Sequence, residues 1–550
     1  MDLIKEVRQF LKDNRLDYLL VNSTNEFLVE YADLRENSRY LLTNFSGSTG
    51  DALISQKNIF LFVDGRYYEQ ADLEVDKNLV TVVKMKLGES LPLLLTKKIQ
   101  SNKTLAMVAK KNPQGRYEIL KNAFDKKNVK IRLLNSDPII DLLNDSFGEP
   151  FEKKYKIEQI GTDITGICAD EKLRLISQDL KENEAILVTN LEEISYLCNL
   201  RDFSTEYSSK IEAKCLVKKE FAVLFPSGTV KDIGGNFEVL ELKDFEKYIK
   251  NSKDINTFFV DKTSINAYDY GILGEKTSFL PKNKLKTMKS LKTPSEIEHY
   301  KKCFEKTDKA ILATREFIEQ NDNISEYDIT QNLKENFLKF GAKSLSFKSI
   351  VAKDKNSALA HYSKSSKTEV LKDGSLVLID CGAYYKGGYA TDCTRVFVKG
   401  TPTALQKKVY TVVLKGFLKA FNKKITPKTT GFALDRAARK VLDAHKPAGF
   451  EFSHSLGHGI GISVHESPPS LAFSPTAKTP LKPNMCFTIE PGLYKKTFGG
   501  VRLENSCYLE EENEKLIIKS FSNMCFEEKL IDFNFLTQTE KKVLKYFEVK

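Results

Sequence analysis

The chain lacks any long apolar segment. None of its stretches approaches about 18 consecutive apolar residues, so we expect no membrane-spanning helix. Charges interrupt every apolar run near the N-terminus, which argues against a secretory signal peptide. The nine cysteines show no paired C-x-x-C spacing, which argues against a disulfide framework or a zinc ribbon. These absences predict a cytoplasmic protein with no membrane partner.

The chain also lacks a concentrated basic segment. Its formal net charge is +11, from 85 Lys and Arg against 74 Asp and Glu. No run of about five or six basic residues occurs, and the lysines are scattered in pairs such as Lys153-Lys154. We therefore interpret the positive charge as a solvated surface and expect no nucleic-acid partner.

The length and a repeated pattern predict several domains. At 550 residues the chain is too long for one ordinary core, and its 41% hydrophobic content suits packed globular domains. An amphipathic helix from Leu3 precedes an apolar strand at 18–21, and a similar helix from Leu173 precedes a strand at 185–188. The segments LLVNSTNE and ILVTNLEE align at the ends of these strands. This predicts two related α/β domains at 1–155 and 156–288, although chance similarity of two helix–strand units is the alternative.

A third domain is predicted over 289–550. Thr293, Pro294 and Glu296 form a helix-start signal with an N-cap, a first-turn proline and a capping box. The C-terminal segment from about Phe521 is rich in Lys, Glu and Phe, and we expect it to fold over the surface.

Histidines are few and clustered. The chain has six, and five of them lie between His361 and His465. A single histidine is usually a hydrogen-bonded structural residue, but such clustering is typical of a catalytic or metal site.

Two aspartates lie in the same region, one at the end of an apolar run and one after a glycine turn. The run 376–379 ends in Asp380, and Asp392 follows a turn containing Gly387-Gly388. An antiparallel pair of strands joined by this turn would bring both carboxylates to one place. Taken alone, the segment also fits an ordinary hairpin.

His458 lies among three glycines, with His454 before it and His465 after it. The four-residue spacing of His454 and His458 is that of a zinc-protease helix, but no Glu follows His454 and the glycines disfavour a helix. We therefore predict an extended segment in which His458 presents its imidazole to the site.

Two glutamates complete the candidate set. Glu490 follows the apolar run 486–489, and Glu504 shares a strand face with Arg502, which is also compatible with a simple salt bridge. Four buried carboxylates near one histidine need a counter-charge, and divalent cations supply it. This oxygen-rich set favours Mn²⁺, with Zn²⁺, Co²⁺ or Fe²⁺ as alternatives. Five side chains suit two ions about 3.5–4 Å apart, bridged by carboxylates and by a hydroxide that would be the nucleophile.

Together these motifs resemble those of a known family. The order Asp, Asp, His, Glu, Glu is similar to that of the pita-bread metallopeptidases, and nearly the whole chain resembles the three-domain form of aminopeptidase P. The resemblance lies in YLLTNFSGSTGDALI (40–54), VDGRYYEQA (63–71), LVTNLEEISYLCNLR (187–201), NSALAHY (356–362), LIDCGAYYKGGYATDCTR (378–395), HSLGHGIGISVHE (454–466), TIEPG (488–492) and VRLENS (501–506). It implies two creatinase-like N-terminal α/β domains followed by a pita-bread catalytic domain.

The resemblance also implies roles for individual residues. Asp380 would bind one metal, His458 and Glu490 the other, and Asp392 and Glu504 would bridge both. Glu490 would in addition be the general base. The residues implied to position the substrate and stabilise the tetrahedral intermediate are His361, His454 and His465. Arg502 would close the network on the substrate side. The implied reaction is hydrolysis of the bond between any N-terminal residue and a following proline, by a homodimer.

One spacing departs from the family pattern. Asp392 is twelve positions after Asp380, whereas eleven is usual, and an extra residue inside a strand would turn Asp392 to the wrong face. We expect the turn at 384–389 to absorb it. The alternatives to aminopeptidase P are a prolidase, which cuts only dipeptides, and a non-catalytic pita-bread protein that binds peptides or histones.

Overall fold

A computed structural model describes residues 2–86, 88–147, 153–231, 233–280, 283–362 and 364–547. The fold is mixed α/β, as predicted. The chain divides into two compact units. The first comprises 1–158, 169–198 and 211–283, and the second comprises 159–168, 199–210 and 284–550.

The N-terminal part of the first unit is a six-stranded sheet with strand order β4-β3-β2-β1-β5-β6. Strand β1 pairs antiparallel with β2 and parallel with β5. Successive residues of β1 point to opposite faces, so Leu19 and Leu20 enter two different hydrophobic cores. The elements are α1 (Leu3–Asp13), β1 (Tyr18–Val21), α2 (Ser38–Thr43), β2 (Asp51–Ser55), β3 (Ile59–Val63), α3 (Tyr68–Glu74), β4 (Val80–Lys84), α4 (Leu91–Lys98), β5 (Thr104–Val108), α5 (Gln114–Asp125), β6 (Lys130–Leu134) and α6 (Pro138–Phe147).

A second six-stranded sheet follows, with strand order β12-β11-β10-β8-β13-β14. Its central strand β8 pairs antiparallel with β10 and parallel with β13, which repeats the arrangement around β1. The repeated order is what the predicted duplication requires. The elements of this part of the first unit are α8 (Ala169–Ser177), β8 (Glu184–Val188), α9 (Leu191–Leu197), β10 (Ala213–Lys218), β11 (Phe221–Pro226), β12 (Phe237–Val239), α10 (Phe245–Asn251), β13 (Thr257–Val260), α11 (Ala267–Leu273) and β14 (Thr277–Phe279). Strand β7 (Ile157–Gln159) lies where the chain passes from the first unit to the second, and the segments 159–168 and 199–210 of the second unit contain α7 (Thr162–Thr165) and β9 (Leu200–Asp202).

The second unit contains a three-stranded sheet, β16-β17-β19, and a five-stranded sheet, β21-β20-β22-β25-β26. Pairs β15-β18 and β23-β24 accompany them. The elements are α12 (Lys284–Ser290), α13 (Pro294–Gln320), α14 (Glu326–Lys339), β15 (Ser344–Leu345), β16 (Ile350–Lys353), β17 (Leu376–Cys381), β18 (Ala383–Tyr384), β19 (Cys393–Val398), α15 (Ala404–Phe421), α16 (Gly431–His445), β20 (Gly457–Gly459), β21 (Glu466–Leu471), β22 (Cys486–Ile489), β23 (Gly492–Lys495), β24 (Gly499–Arg502), β25 (Asn505–Glu512), β26 (Lys515–Ser520) and α17 (Gln538–Leu544).

Strand β17 separates two cores of this unit. Ile379 packs in the core that includes residues of α13 and α14, whereas Leu378 packs in the core that includes residues of α15. Because side chains alternate along a strand, Asp380 points to the same side as Leu378.

Two local predictions concern the start of α13 and the C-terminal segment. The capping box of α13 is confirmed, since the Thr293 and Glu296 side chains each bond to the other's backbone N–H. The C-terminal segment folds against the rest of the second unit with Phe521, Phe526 and Leu530 buried, so it also contributes to the core. These aromatic and aliphatic side chains complete the core around α13 and α15, so burial outweighs the polar composition of the segment. Within the described residues, no helix is both long enough and apolar enough to cross a membrane.

Candidate metal centre

The two aspartates lie on one face of the β17–β19 hairpin. Asp380 pairs with Thr394 across the strands, and Asp392 precedes Thr394 by two positions. Residues two apart on a strand share a face, as do residues paired across strands. Both carboxylates therefore point to the same side, and both are buried.

The twelve-position spacing does not disturb this arrangement. The register runs without a shift from Leu376↔Val398 through Cys381↔Cys393 to the bridge Tyr384↔Ala390. The connection between the strands is thus the turn of residues 385–389. A one-residue slip inside a strand would have reversed Asp392, and none occurs.

His458 comes from the short strand β20, in agreement with the predicted extended segment. Glycine is required next to it, because a Cβ on Gly457 would lie 2.0 Å from the carbonyl oxygen of Thr488. This close approach lets β20 pair with β22, so His458 lies beside the strand that ends one residue before Glu490.

The side chains of these strands converge. One ligand atom each from Asp392, His458 and Glu504 lies within 4.8 Å of the other two. His458 Nε2 is 3.5 Å from Asp392 Oδ2 and 3.6 Å from Glu490 Oε1. Asp380 joins the group through Arg502, whose guanidinium lies 2.6 Å from Asp380 Oδ2. All of these residues belong to the second unit.

Burial and mutual repulsion disfavour ionisation of the carboxylates. Burial, followed by the nearby charge of Glu504, raises the pKa of both Asp392 and Glu490 well above the ordinary carboxyl value. Burial and the charge of Asp380 raise the pKa of Glu504 to about 7. Without a counter-ion, the cluster therefore holds protons near neutral pH.

Two oxygens of this cluster have no hydrogen-bond partner. Asp380 Oδ1 and Glu504 Oε1 are both buried, and neither accepts a hydrogen bond within the described residues. Their sister oxygens are satisfied by Arg502 and by the Thr394 hydroxyl. An unpaired buried carboxylate oxygen is costly, and a cation would satisfy it. The donor set of oxygens and one imidazole suits divalent metal ions.

A hydrogen-bonded chain links Arg502 to His454. The Arg502 guanidinium donates to the Tyr494 hydroxyl at 2.7 Å, and that oxygen lies 2.8 Å from His454 Nε2. Because arginine can only donate, the Tyr494 proton is directed to Nε2, and Nδ1 then donates to the Ser455 carbonyl at 2.8 Å. Burial, and then the charge of Arg502, lowers the pKa of His454 to about 3, so this imidazole is neutral at ordinary pH.

The other two predicted histidines are placed differently. The ring of His465 is exposed and lies edge-on to the His458 ring, with centroids 4.6 Å apart. His361 is half-buried in a turn that follows the 3-10 helix at Asp354–Ala358. Gly500 of β24 donates a backbone hydrogen bond to Ser357 in that helix, which connects the His361 segment to the strand that ends at Arg502.

Sequence reasoning missed Thr394 and Tyr494. The Thr394 hydroxyl donates to Glu504 at 2.7 Å and accepts from Arg502 at 3.2 Å. Its position two residues after Asp392, on the same strand face, was an available signal. Tyr494 carried no such signal, because its role depends on contacts made by the β23–β24 pair.

Comparison with known proteins finds family models that match three consecutive segments of the chain. The family model for metallopeptidase family M24 matches residues 298–511. Two models for the creatinase/prolidase N-terminal domain match 4–143 and 148–296. The C-terminal part of the chain is an M24 metallopeptidase domain. The predicted fold, with creatinase-type N-terminal domains before an M24 domain, and the assignment as a hydrolase of the three-domain aminopeptidase P form are confirmed by these matches together with the relatives below.

Relatives match along most of their own lengths. Xaa-Pro aminopeptidase 1 of Dictyostelium discoideum is 27% identical, with 98% of this chain and 90% of the relative covered. A probable Xaa-Pro aminopeptidase P of Sordaria macrospora is also 27% identical, over 98% and 93%. The crystal structure of a Caenorhabditis elegans X-prolyl aminopeptidase, described as a cytosolic enzyme with a di-nuclear active site, has a TM-score of 0.89 at 20% identity and covers 100% of this chain and 96% of that one. The chain therefore has the same fold as that structure.

Proposed function

We propose that this protein is a dinuclear metal-dependent aminopeptidase that hydrolyses the bond between an N-terminal residue and a following proline. The observation that carries the proposal is the convergence of buried carboxylates with His458, in which one oxygen each of Asp380 and Glu504 finds no hydrogen-bond donor among the residues that the structure describes. The residues that would hold the two metals are Asp380, Asp392, His458, Glu490 and Glu504. The names of the aminopeptidase relatives support the substrate class.

Bound divalent cations would polarise the scissile carbonyl and lower the pKa of water, so that hydroxide is available as the nucleophile near neutral pH. Glu490 is the proposed general base, because its carboxylate lies between His458 at 3.6 Å and His454 at 3.8 Å and is only partly exposed. As an ionised carboxylate beside the attacking water, Glu490 would accept a proton from that water and pass it to the leaving amine.

The surrounding residues would orient the substrate. His454 is fixed as a neutral imidazole by Tyr494, and Arg502 fixes Tyr494. His465 and His361 would line the side that receives proline. An Xaa-Pro bond has no N–H and carries a rigid ring, so a pocket that holds the ring does not need the strand-like backbone pairing used by general peptidases.

Further details of the proposal rest on sequence and chemistry. We propose Mn²⁺ because most ligands are oxygens. We also retain the domain limits 1–155, 156–288 and 289–550, the homodimer and a cytoplasmic location. All nine cysteines are free thiols, which suits a reducing compartment.

The test is hydrolysis of Arg-Pro-Pro and of longer peptides by the purified protein, over a series of divalent metals. We expect release of the N-terminal arginine, fastest with Mn²⁺. Absence of release with every metal would overturn the proposal.

Matched substrates separate this activity from the alternative. Arg-Ala-Pro, in which alanine replaces proline at the second position, should be cleaved far more slowly. Cleavage confined to dipeptides such as Arg-Pro would instead identify a prolidase.

A further inference from the structure

Glu326 is a buried carboxylate that accepts four hydrogen bonds. It is the first residue of α14 and its side chain is fully buried. Its Oε1 accepts from the backbone N–H of Lys353 at 2.6 Å and from the Asn356 amide at 2.8 Å. Its Oε2 accepts from the Tyr362 hydroxyl and from the backbone N–H of Ser366, both at 2.7 Å. Within the described residues, it forms no ion pair with a lysine or arginine.

All four donors come from the segment that carries His361. Lys353 and Asn356 precede His361, whereas Tyr362 and Ser366 follow it. One carboxylate therefore ties both sides of the turn to the start of α14. The carboxylate itself is fixed by its helix, because Ser325 and Asp328 form a capping box around the same helical turn.

The opposite side of this segment is attached to the metal centre. Gly500 donates to the Ser357 hydroxyl at 2.8 Å, and a Cβ on Gly500 would lie 2.3 Å from the Ser357 carbonyl oxygen. Gly500 is two residues before Arg502, which contacts Asp380. The His361 segment is thus held between Glu326 on one side and strand β24 on the other.

We propose that Glu326 is a positioning residue that sets the place of His361 for substrate binding. The inference rests on the proposed function, because it assigns His361 to the substrate. Acceptance of four hydrogen bonds requires an ionised carboxylate. Glutamine has the same size but can accept at only one atom, and it turns a donor toward groups that themselves donate.

The test compares Glu326→Gln with wild type in three measurements. Bound Mn²⁺ should be unchanged. The kcat/KM for Arg-Pro-Pro should fall by about 10- to 100-fold, the scale expected for misplacement of a substrate-contacting group by about 1 Å. Hydrogen–deuterium exchange of peptides covering 353–362 should become faster, while exchange in β20 and β22 stays the same.

A double-mutant cycle shows whether Glu326 acts through His361. In a His361→Ala background, Glu326→Gln should lower kcat/KM by less than about twofold, because residues that act as a unit are non-additive. Glu335→Gln, an exposed position on the same helix, is the control and should change none of these values. Tyr362→Phe removes a single donor and should show the same changes in smaller degree, which keeps the test available if Glu326→Gln folds poorly.

Two results would overturn the inference. One is a fully multiplicative loss in the double variant. The other is unchanged exchange of the 353–362 peptides in Glu326→Gln, a measurement that does not depend on peptidase activity. If wild type cleaves no peptide, the proposed function fails, while the exchange experiment still decides whether Glu326 orders the His361 segment.

Discussion

Replacement of Glu466 by glutamine should strongly destabilise the second unit. Glu466 Oε1 lies 2.7 Å from Lys292 Nζ and 3.2 Å from Lys289 Nζ, and all three side chains are at most 3% exposed. Its Oε2 accepts the backbone N–H of Ile462 at 3.0 Å, which closes the loop between His458 and β21. Glutamine preserves the volume, but it leaves two buried ammonium groups without this counter-charge.

The expected loss follows from the burial. Removal of one partner from a buried ion pair costs about 3–5 kcal/mol, because the remaining charge stays desolvated. That loss corresponds to a change of roughly 10²- to 10⁴-fold in the unfolding equilibrium, since about 1.4 kcal/mol is tenfold. The double variant Glu466→Gln/Lys292→Met removes one excess charge and should recover part of the loss.

The assay is urea unfolding of the metal-free protein, followed by circular dichroism. Glu451→Gln is the matched control, because Glu451 forms an ion pair with Lys446 at 2.8 Å but is 71% exposed. An exposed pair contributes about 0–1 kcal/mol. If Glu466→Gln is no more destabilising than Glu451→Gln, the argument from buried charge is refuted.

Three further predictions concern titration and the metal centre. Metal binding at pH 7 should release at least one proton, because burial raises the pKa of Asp392 and Glu490 well above the ordinary carboxyl value and that of Glu504 to about 7. Calorimetry in buffers of different ionisation enthalpy measures this release, and a heat of binding that is independent of the buffer would contradict it. Asp392→Ala should abolish stoichiometric metal binding and peptidase activity, while the first unit keeps its resistance to proteolysis. If equilibrium dialysis shows that the variant still binds metal, Asp392 is not a ligand. Burial raises the pKa of Asp308 to about 6, so its contribution to stability is present below about pH 4 and is lost as the pH rises through 6. Relative to Asp308→Asn, wild type should therefore lose about 3 kcal/mol between pH 4 and pH 7.5 in urea unfolding, and an equal difference at both pH values would contradict this.

Local sequence patterns predicted the elements that carry the site. An apolar run predicts a buried strand from neighbouring residues alone, and a carboxylate at its end is then predicted to lie at the end of that strand. Asp380 and Glu490 are both found at the ends of such strands. The start of α13 was predictable for the same reason, because its capping box involves residues three positions apart. The antiparallel pairing of β17 with β19 was predictable from the glycine turn. Its register was not, and only the continuous pairing in the structure shows that Asp392 remains on the face of Asp380.

Contacts between distant segments could not be predicted in this way. Glu466 contacts Lys292, which lies 174 positions away, and Glu326 contacts Tyr362, which lies 36 positions away. The periodicity of apolar residues along the sequence does not predict such contacts, because they depend on how the helices and strands pack together. Tyr494 is similar, since its hydroxyl gains a role only when β23 pairs with β24 beside Arg502.

The ligand set of the candidate centre is distributed over strands that pair with different partners. Asp380 lies in β17 and Asp392 directly precedes β19 of the same sheet, whereas His458 lies in β20 and Glu490 directly follows β22 of the five-stranded sheet. During folding, neither sheet alone can offer more than part of the coordination sphere. We therefore expect metal uptake to be a late event that selects chains in which the two sheets have already joined. Metal in the cell would then stabilise the folded second unit relative to partly folded chains by mass action. A shortage of metal would increase the fraction of partly folded chain that is open to proteolysis.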